Sequence, residues 1–75
     1  MLQRHFQPDE AVHVAAEGGW PQAPTGRIVT GPYFVETLQG TDFYYWIAFD
    51  TPQPDGDGDG PYVQAQIISR YLERL

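Results

Sequence analysis

The densest set of chemistry-bearing side chains is the run Asp55-Gly56-Asp57-Gly58-Asp59-Gly60. Carboxylates at every second position, each followed by glycine, match the first half of a calcium loop. There, alternate side chains converge on one cation and a glycine permits the sharp turn. The second half of such a loop is missing. Gln66 stands at the twelfth position, where a bidentate Glu is needed, and Asp50-Thr51-Pro52-Gln53-Pro54 occupies the place of the preceding helix. An EF-hand is therefore excluded. A looser, weak calcium site built from Asp55, Asp57 and Asp59, with Asp50 or a backbone carbonyl, is one reading; a solvated hairpin loop is the other. The loop needs no metal to exist, because two carboxylates about 6 Å apart in water repel by only roughly 0.7 kcal/mol.

Other site chemistry is sparse. There is no cysteine, and His5 and His13 alone cannot complete a four-ligand zinc site. Ser69 is the one serine, so no arrangement of nucleophile, base and orienting carboxylate can be read from the chain, and no cofactor is implied beyond that weak calcium. The aromatic residues are the richer set. Trp20, Tyr33, Tyr44, Trp46 and Tyr62 could line a groove for an extended or proline-rich peptide, with Glu17 and the aspartate loop nearby to select a basic partner. They could equally fill the ends of the core and a contact between subunits.

Charge excludes several partners. Ten acidic residues stand against four arginines and no lysine, for a formal charge of −6. Arg4, Arg27, Arg70 and Arg74 are too few and too dispersed to form the basic stripe that nucleic acid or an anionic membrane requires. No run approaches the roughly 20 apolar residues of a membrane span, and Met1 to Phe6 lacks the apolar stretch of a signal peptide, so the cytoplasm is the expected location.

The elements that must position these residues are short strands. Asp42 to Asp50 is the most apolar run, nearly all aromatic or β-branched, and is bounded by turn signals at Gly40-Thr41 and Thr51-Pro52. It is expected to be the central strand. Alternation puts Phe43, Tyr45, Ile47 and Phe49 on one face and Tyr44, Trp46 and Ala48 on the other, so both faces want cover. Before it, Met1 to Gln7 reads as a frayed arm, and the domain proper as residues 8–75. Ala11 to Ala15 alternates as a first strand with Val12 and Val14 inward. Ala16 to Thr25 is a loop pinned by Trp20 over one end of the core. Gly26 to Glu36 is a second strand interrupted by a bulge or bend at Gly31-Pro32, joined to the central strand as a hairpin. Tyr62 to Ile67 is a fourth strand. Ile68, Tyr71, Leu72 and Leu75 fall at helical spacing and predict one or two helical turns that dock on an open barrel end.

The expected fold is mainly β: a small half-open barrel of four to five antiparallel strands with a short C-terminal helical turn. The order Val12-x-Val14, Gly26-Arg27-Ile28-Val29, Tyr45-Trp46-Ile47-Ala48-Phe49 and Val63-Gln64-Ala65-Gln66-Ile67 with a closing Leu72-Glu73 resembles the SH3-like barrel superfamily from about Pro8 onward. Its members serve as binding modules, ribosomal proteins and enzyme subunits, so the resemblance implies a fold more than a function. Tyr62 to Leu75 also resembles the C-terminal part of the plasmid- and integron-borne type II dihydrofolate reductases. Those are tetramers around a central pore, in which a Val-Gln-Ile-Tyr strand binds folate and nicotinamide cofactor. This chain keeps Val63-Gln64 and then has Ala65-Gln66, and it has no lysine to attract anionic substrates. The resemblance implies assembly more than catalysis.

A chain of 75 residues buries only about 60% of the surface that its unfolded form exposes, and outward Tyr44 and Trp46 would be poorly used on a lone molecule. The expectation is a homo-oligomer, dimer or tetramer. It acts as a non-enzymatic module binding a protein, peptide or small ligand through Trp20, Tyr44, Trp46, Tyr62, Gln64 and Gln66. The alternative is a small oligomeric enzyme with a pore site, into which Gln64 and Gln66 would project.

Overall fold

The computed structural model describes residues 5–75. Its strands are β1 (Ala11–Val14), β2 (Thr25–Thr37), β3 (Gly40–Gln53), β4 (Tyr62–Ile68) and β5 (Leu72–Arg74), with three-residue 3-10 turns at Ala16–Gly18 and Ser69–Tyr71. They form one antiparallel sheet in the order β4-β3-β2-β1-β5. The two edge strands, β4 and β5, are not hydrogen-bonded to each other, so the barrel stays open.

Alternation along each strand decides which side chains meet. Val12 and Val14 from β1, Ile28 from β2, Tyr45, Ile47 and Phe49 from β3, Ile67 from β4 and Leu72 from β5 are all buried in one cluster. Residues of both edges share this core, which requires the sheet to curl around one face. The side chains on the other face of β3, Tyr44, Trp46 and Ala48, are less deeply covered.

The long β2 bends where the sequence says it must. Its register against β3 slips between Ile28 and Thr30 and again between Thr30 and Tyr33, the stretch holding Gly31-Pro32. Gly31 has φ +131°, and a Cβ there would come within 2.7 Å of the Tyr45 ring. Only glycine fits both constraints. Beyond the bend, Tyr33 to Thr37 pairs with Gly40 to Tyr44 as a two-stranded ribbon, with Phe34 73 % exposed near its base.

Two expectations are corrected. The C-terminal segment forms one 3-10 turn and then a strand, β5, whose Leu72, Glu73 and Arg74 pair with Val14, His13 and Val12. The helical spacing of Ile68, Tyr71, Leu72 and Leu75 is misleading, because Leu72 reaches the core from an extended backbone and Leu75 remains exposed. At the other end, part of the segment expected to be a frayed arm is structural. Phe6 is buried, its ring meets Tyr45 edge-on at 5.4 Å, and its backbone N–H donates to the Tyr45 hydroxyl at 3.1 Å. Residues 1–4 of that arm lie outside the described residues.

Candidate functional site

The pleat of β2, β3 and β4 sets out the outer face in cross-strand rows. Arg27, Ala48 and Gln64 make one row, Thr30, Trp46 and Gln66 the next, Tyr33, Tyr44 and Ile68 the third, with Val35 opposite Asp42 beyond them. The strands thus bring four of the expected binding residues, Tyr44, Trp46, Gln64 and Gln66, onto one surface. The Tyr33 and Tyr44 rings stack at a tilt of 32° with centroids 5.3 Å apart. Between the rows lies an open cleft of about 440 Å³, lined by Val35, Tyr44, Gln66 and Ile68. Its size falls within the range of small-ligand pockets.

Chemically this cleft offers a phenol, an amide and two aliphatic walls. Such groups stack on, pack against and hydrogen-bond a ligand; no carboxylate or imidazole lines it. Asp42, opposite Val35, carries a balanced charge. Arg70 donates to the Asp42 carboxylate, which also accepts the Phe43 N–H at 2.9 Å. The Arg70 guanidinium, followed by that backbone bond, holds the Asp42 carboxyl below the usual aspartate range, and the Arg70 guanidinium is raised in turn by its contact with Asp42. The pair leaves no uncompensated charge at Asp42 beside the cleft.

Trp20 is placed elsewhere. It is buried, lies on Phe49 with centroids 4.8 Å apart and meets Tyr62 edge-on at 5.8 Å. This is the cap over the core that its loop suggested, and it removes Trp20 from the outer face. Tyr62 is 40 % exposed at the start of β4, with its ring turned to Trp20.

The aspartate loop is organised around Asp55. Its Oδ1 accepts the N–H groups of Asp57 and Asp59, both at 2.9 Å, and its own N–H donates to the Asp59 carbonyl at 3.0 Å. The three carboxylates lie within 4.8 Å of one another. One Asp55 oxygen is thereby committed to the turn, as in an Asx turn. That leaves Asp57, Asp59 and the second Asp55 oxygen as cation ligands, the donor set of a weak site.

Three contributors are not evident from the sequence. Val35 and Ile68 line the cleft, and the helical spacing that includes Ile68 conceals its role; only its position at the end of the β4 alternation points to it. The third is a notch of about 420 Å³ among His5, Gln7, Glu10 and Arg74. There Arg74 pairs with Glu10 at 2.6 Å, donates to the His5 carbonyl at 3.1 Å and lies 4.4 Å from the centre of the Phe6 ring. These contacts fasten the N-terminal segment to β5.

No helix among the described residues is long and apolar enough to cross a membrane. Comparison with protein-family profiles, with curated proteins and with solved structures finds no match.

Proposed function

We propose that this chain is a non-enzymatic binding module of SH3-like form. Its copies associate across the outer face of β2, β3 and β4, and an extended peptide or small molecule is held in the cleft at that assembly. The observation that carries the reading is the cross-strand grouping of Tyr33, Tyr44, Trp46 and Ile68 on one face, beside a cleft lined by Val35, Tyr44, Gln66 and Ile68. Aromatic rows beside a balanced ion pair are the composition of an interface centre, where large rings are favoured and uncompensated charge is not. A cytoplasmic location belongs to this reading, in keeping with a chain that has no cysteine.

The test is the mass in solution and its response to the face. Wild type should sediment as a dimer or tetramer, and Trp46→Arg should lower that mass while leaving the far-ultraviolet spectrum unchanged. A wild-type monomer would end the reading.

A second reading has one specific observation in its favour. Gln64 and Gln66 stand exposed on the same face as the cleft, as the resemblance to the type II dihydrofolate reductases requires of pore residues. Saturable quenching of Trp46 fluorescence by NADPH, absent in Gln66→Ala, would favour the pore enzyme. Indifference to NADPH and folates would favour the binding module.

A further inference from the structure

An edge strand presents a row of unpaired backbone N–H and C=O groups, and natural sheets blunt such edges with charge, proline or bulges. β4 itself has neither charge nor proline, and the slip in its ladder with β3, between Ala48 and Gln53, puts the extra residues on β3. The seven residues of β4, Tyr-Val-Gln-Ala-Gln-Ile-Ile, include no charged side chain, no proline and no glycine. Its one ladder partner among the described residues is β3, and four of its first five residues are exposed, Val63 by 65 %. Val63 is in phase with the buried Ile67, so an apolar side chain turned to the core side of the sheet stands without cover. The edge is long enough to pair and carries no charge or proline against pairing.

What flanks β4 points to its occupant. On its N-terminal side lies the loop of Asp55, Asp57 and Asp59; on its C-terminal side lies Arg70, whose charge is balanced by Asp42. An antiparallel neighbour of the same sequence sets the acidic end of each strand beside the charge-balanced end of the other. A parallel neighbour would set acid beside acid.

We propose that β4 is a seam between copies of this chain: two β4 edges pair antiparallel about a twofold axis at Ala65. This rests on the reading that the chain self-associates, and it names a second contact distinct from the aromatic face. Centred on Ala65, the pairing sets Gln64 opposite Gln66 of the second copy and Val63 opposite Ile67. The twofold repeats each pair, so the contact is isologous and closes. It joins the two sheets into one of ten strands and puts both clefts on the same side, separated by a ladder of four glutamines.

Amide exchange of the wild-type protein, with mass measured on the same sample, tests the seam. In a lone β4 the amides that point away from β3 face solvent; in the paired edge they exchange at least about tenfold more slowly, the protection of one hydrogen bond. With both contacts formed the wild type is a tetramer, and Trp46→Arg should remove the face contact and leave a dimer with those amides still slow; a wild-type dimer that falls to a monomer in Trp46→Arg overturns the seam and spares the aromatic face. In the Trp46→Arg background, where the face contact is already gone, Q64E/Q66E places like charges opposite each other twice and should lose both the dimer and the protection, whereas Q64K/Q66E places opposite charges in the same register and should keep both. An assembled wild type whose outward β4 amides exchange freely overturns the seam and spares the aromatic face. A wild-type monomer overturns both. Equal loss in Q64E/Q66E and Q64K/Q66E overturns the register.

Discussion

Replacing Phe6 by alanine should bring this domain close to unfolding, although the residue lies in a segment that reads as a loose arm. The ring is buried against Tyr45 and under the Arg74 guanidinium. Truncating a buried aromatic typically costs about 3–5 kcal/mol. At roughly 0.05–0.15 kcal/mol per residue, a 75-residue chain has about 4–11 kcal/mol in total, so the loss is a large fraction of the whole. A companion variant isolates the polar part. Tyr45 is 1 % exposed and its hydroxyl accepts the Phe6 N–H, so Tyr45→Phe leaves a buried donor without an acceptor at a cost of about 1–3 kcal/mol. Urea titration at fixed protein concentration, followed by tryptophan emission, should give lower midpoints with an unchanged slope. The two losses should be less than additive in the double variant, because both act through one contact. If both variants unfold within about 0.5 kcal/mol of wild type, the surface range for substitutions, the N-terminal segment is an arm and its place in the core is wrong.

Three other outcomes are expected. Gly26→Ala should destabilise by about 1–3 kcal/mol in thermal melting, because the added Cβ would meet the Ala48 carbonyl oxygen at 2.5 Å, a backbone atom that cannot step aside. Asp42 is held below its ordinary range, so its pairing with Arg70 and the Phe43 N–H adds stability above the unfolded aspartate pKa that is lost as the pH falls through the folded value; Asp42→Asn should flatten the acid side of the stability profile and leave the alkaline side as it was. Asp55→Ala should loosen the aspartate loop, seen as faster amide exchange at Asp57 and Asp59, while a few millimolar calcium moves the wild-type melting midpoint by under about 1 °C; a shift of several degrees would make the three aspartates a cation site of real affinity.

What could be read from the sequence follows from how local each signal is. The strands are legible because alternation is a two-residue pattern. Val12 and Val14, then Tyr45, Ile47 and Phe49, declare their face without help from distant chain. Gly31-Pro32 announces the bend in β2 for the same reason, since a proline has no N–H to give and interrupts the ladder wherever it stands in a long strand. The misreadings are non-local. Leu72 to Arg74 can be recognised as a strand only by knowing that β1 has a free side to pair with, and Phe6 as core only by knowing where the Tyr45 hydroxyl ends up. The site shows the same division. Tyr44 and Trp46 can be assigned to one face from their spacing, and Gln64 and Gln66 to another strand, but the register that aligns Trp46 with Gln66 is a property of the pairing. Trp20 is ambiguous in sequence because an aromatic in a Gly- and Pro-rich loop can cap a core or line a groove; its contact with Phe49 decides for the core.

Whether further copies of this chain cover the outer face of β2, β3 and β4 is decided by sedimentation equilibrium of the wild-type protein across a hundredfold range of concentration. A mass of two or four chains that falls in Trp46→Arg is the expected result. A mass of one chain at every concentration would contradict it.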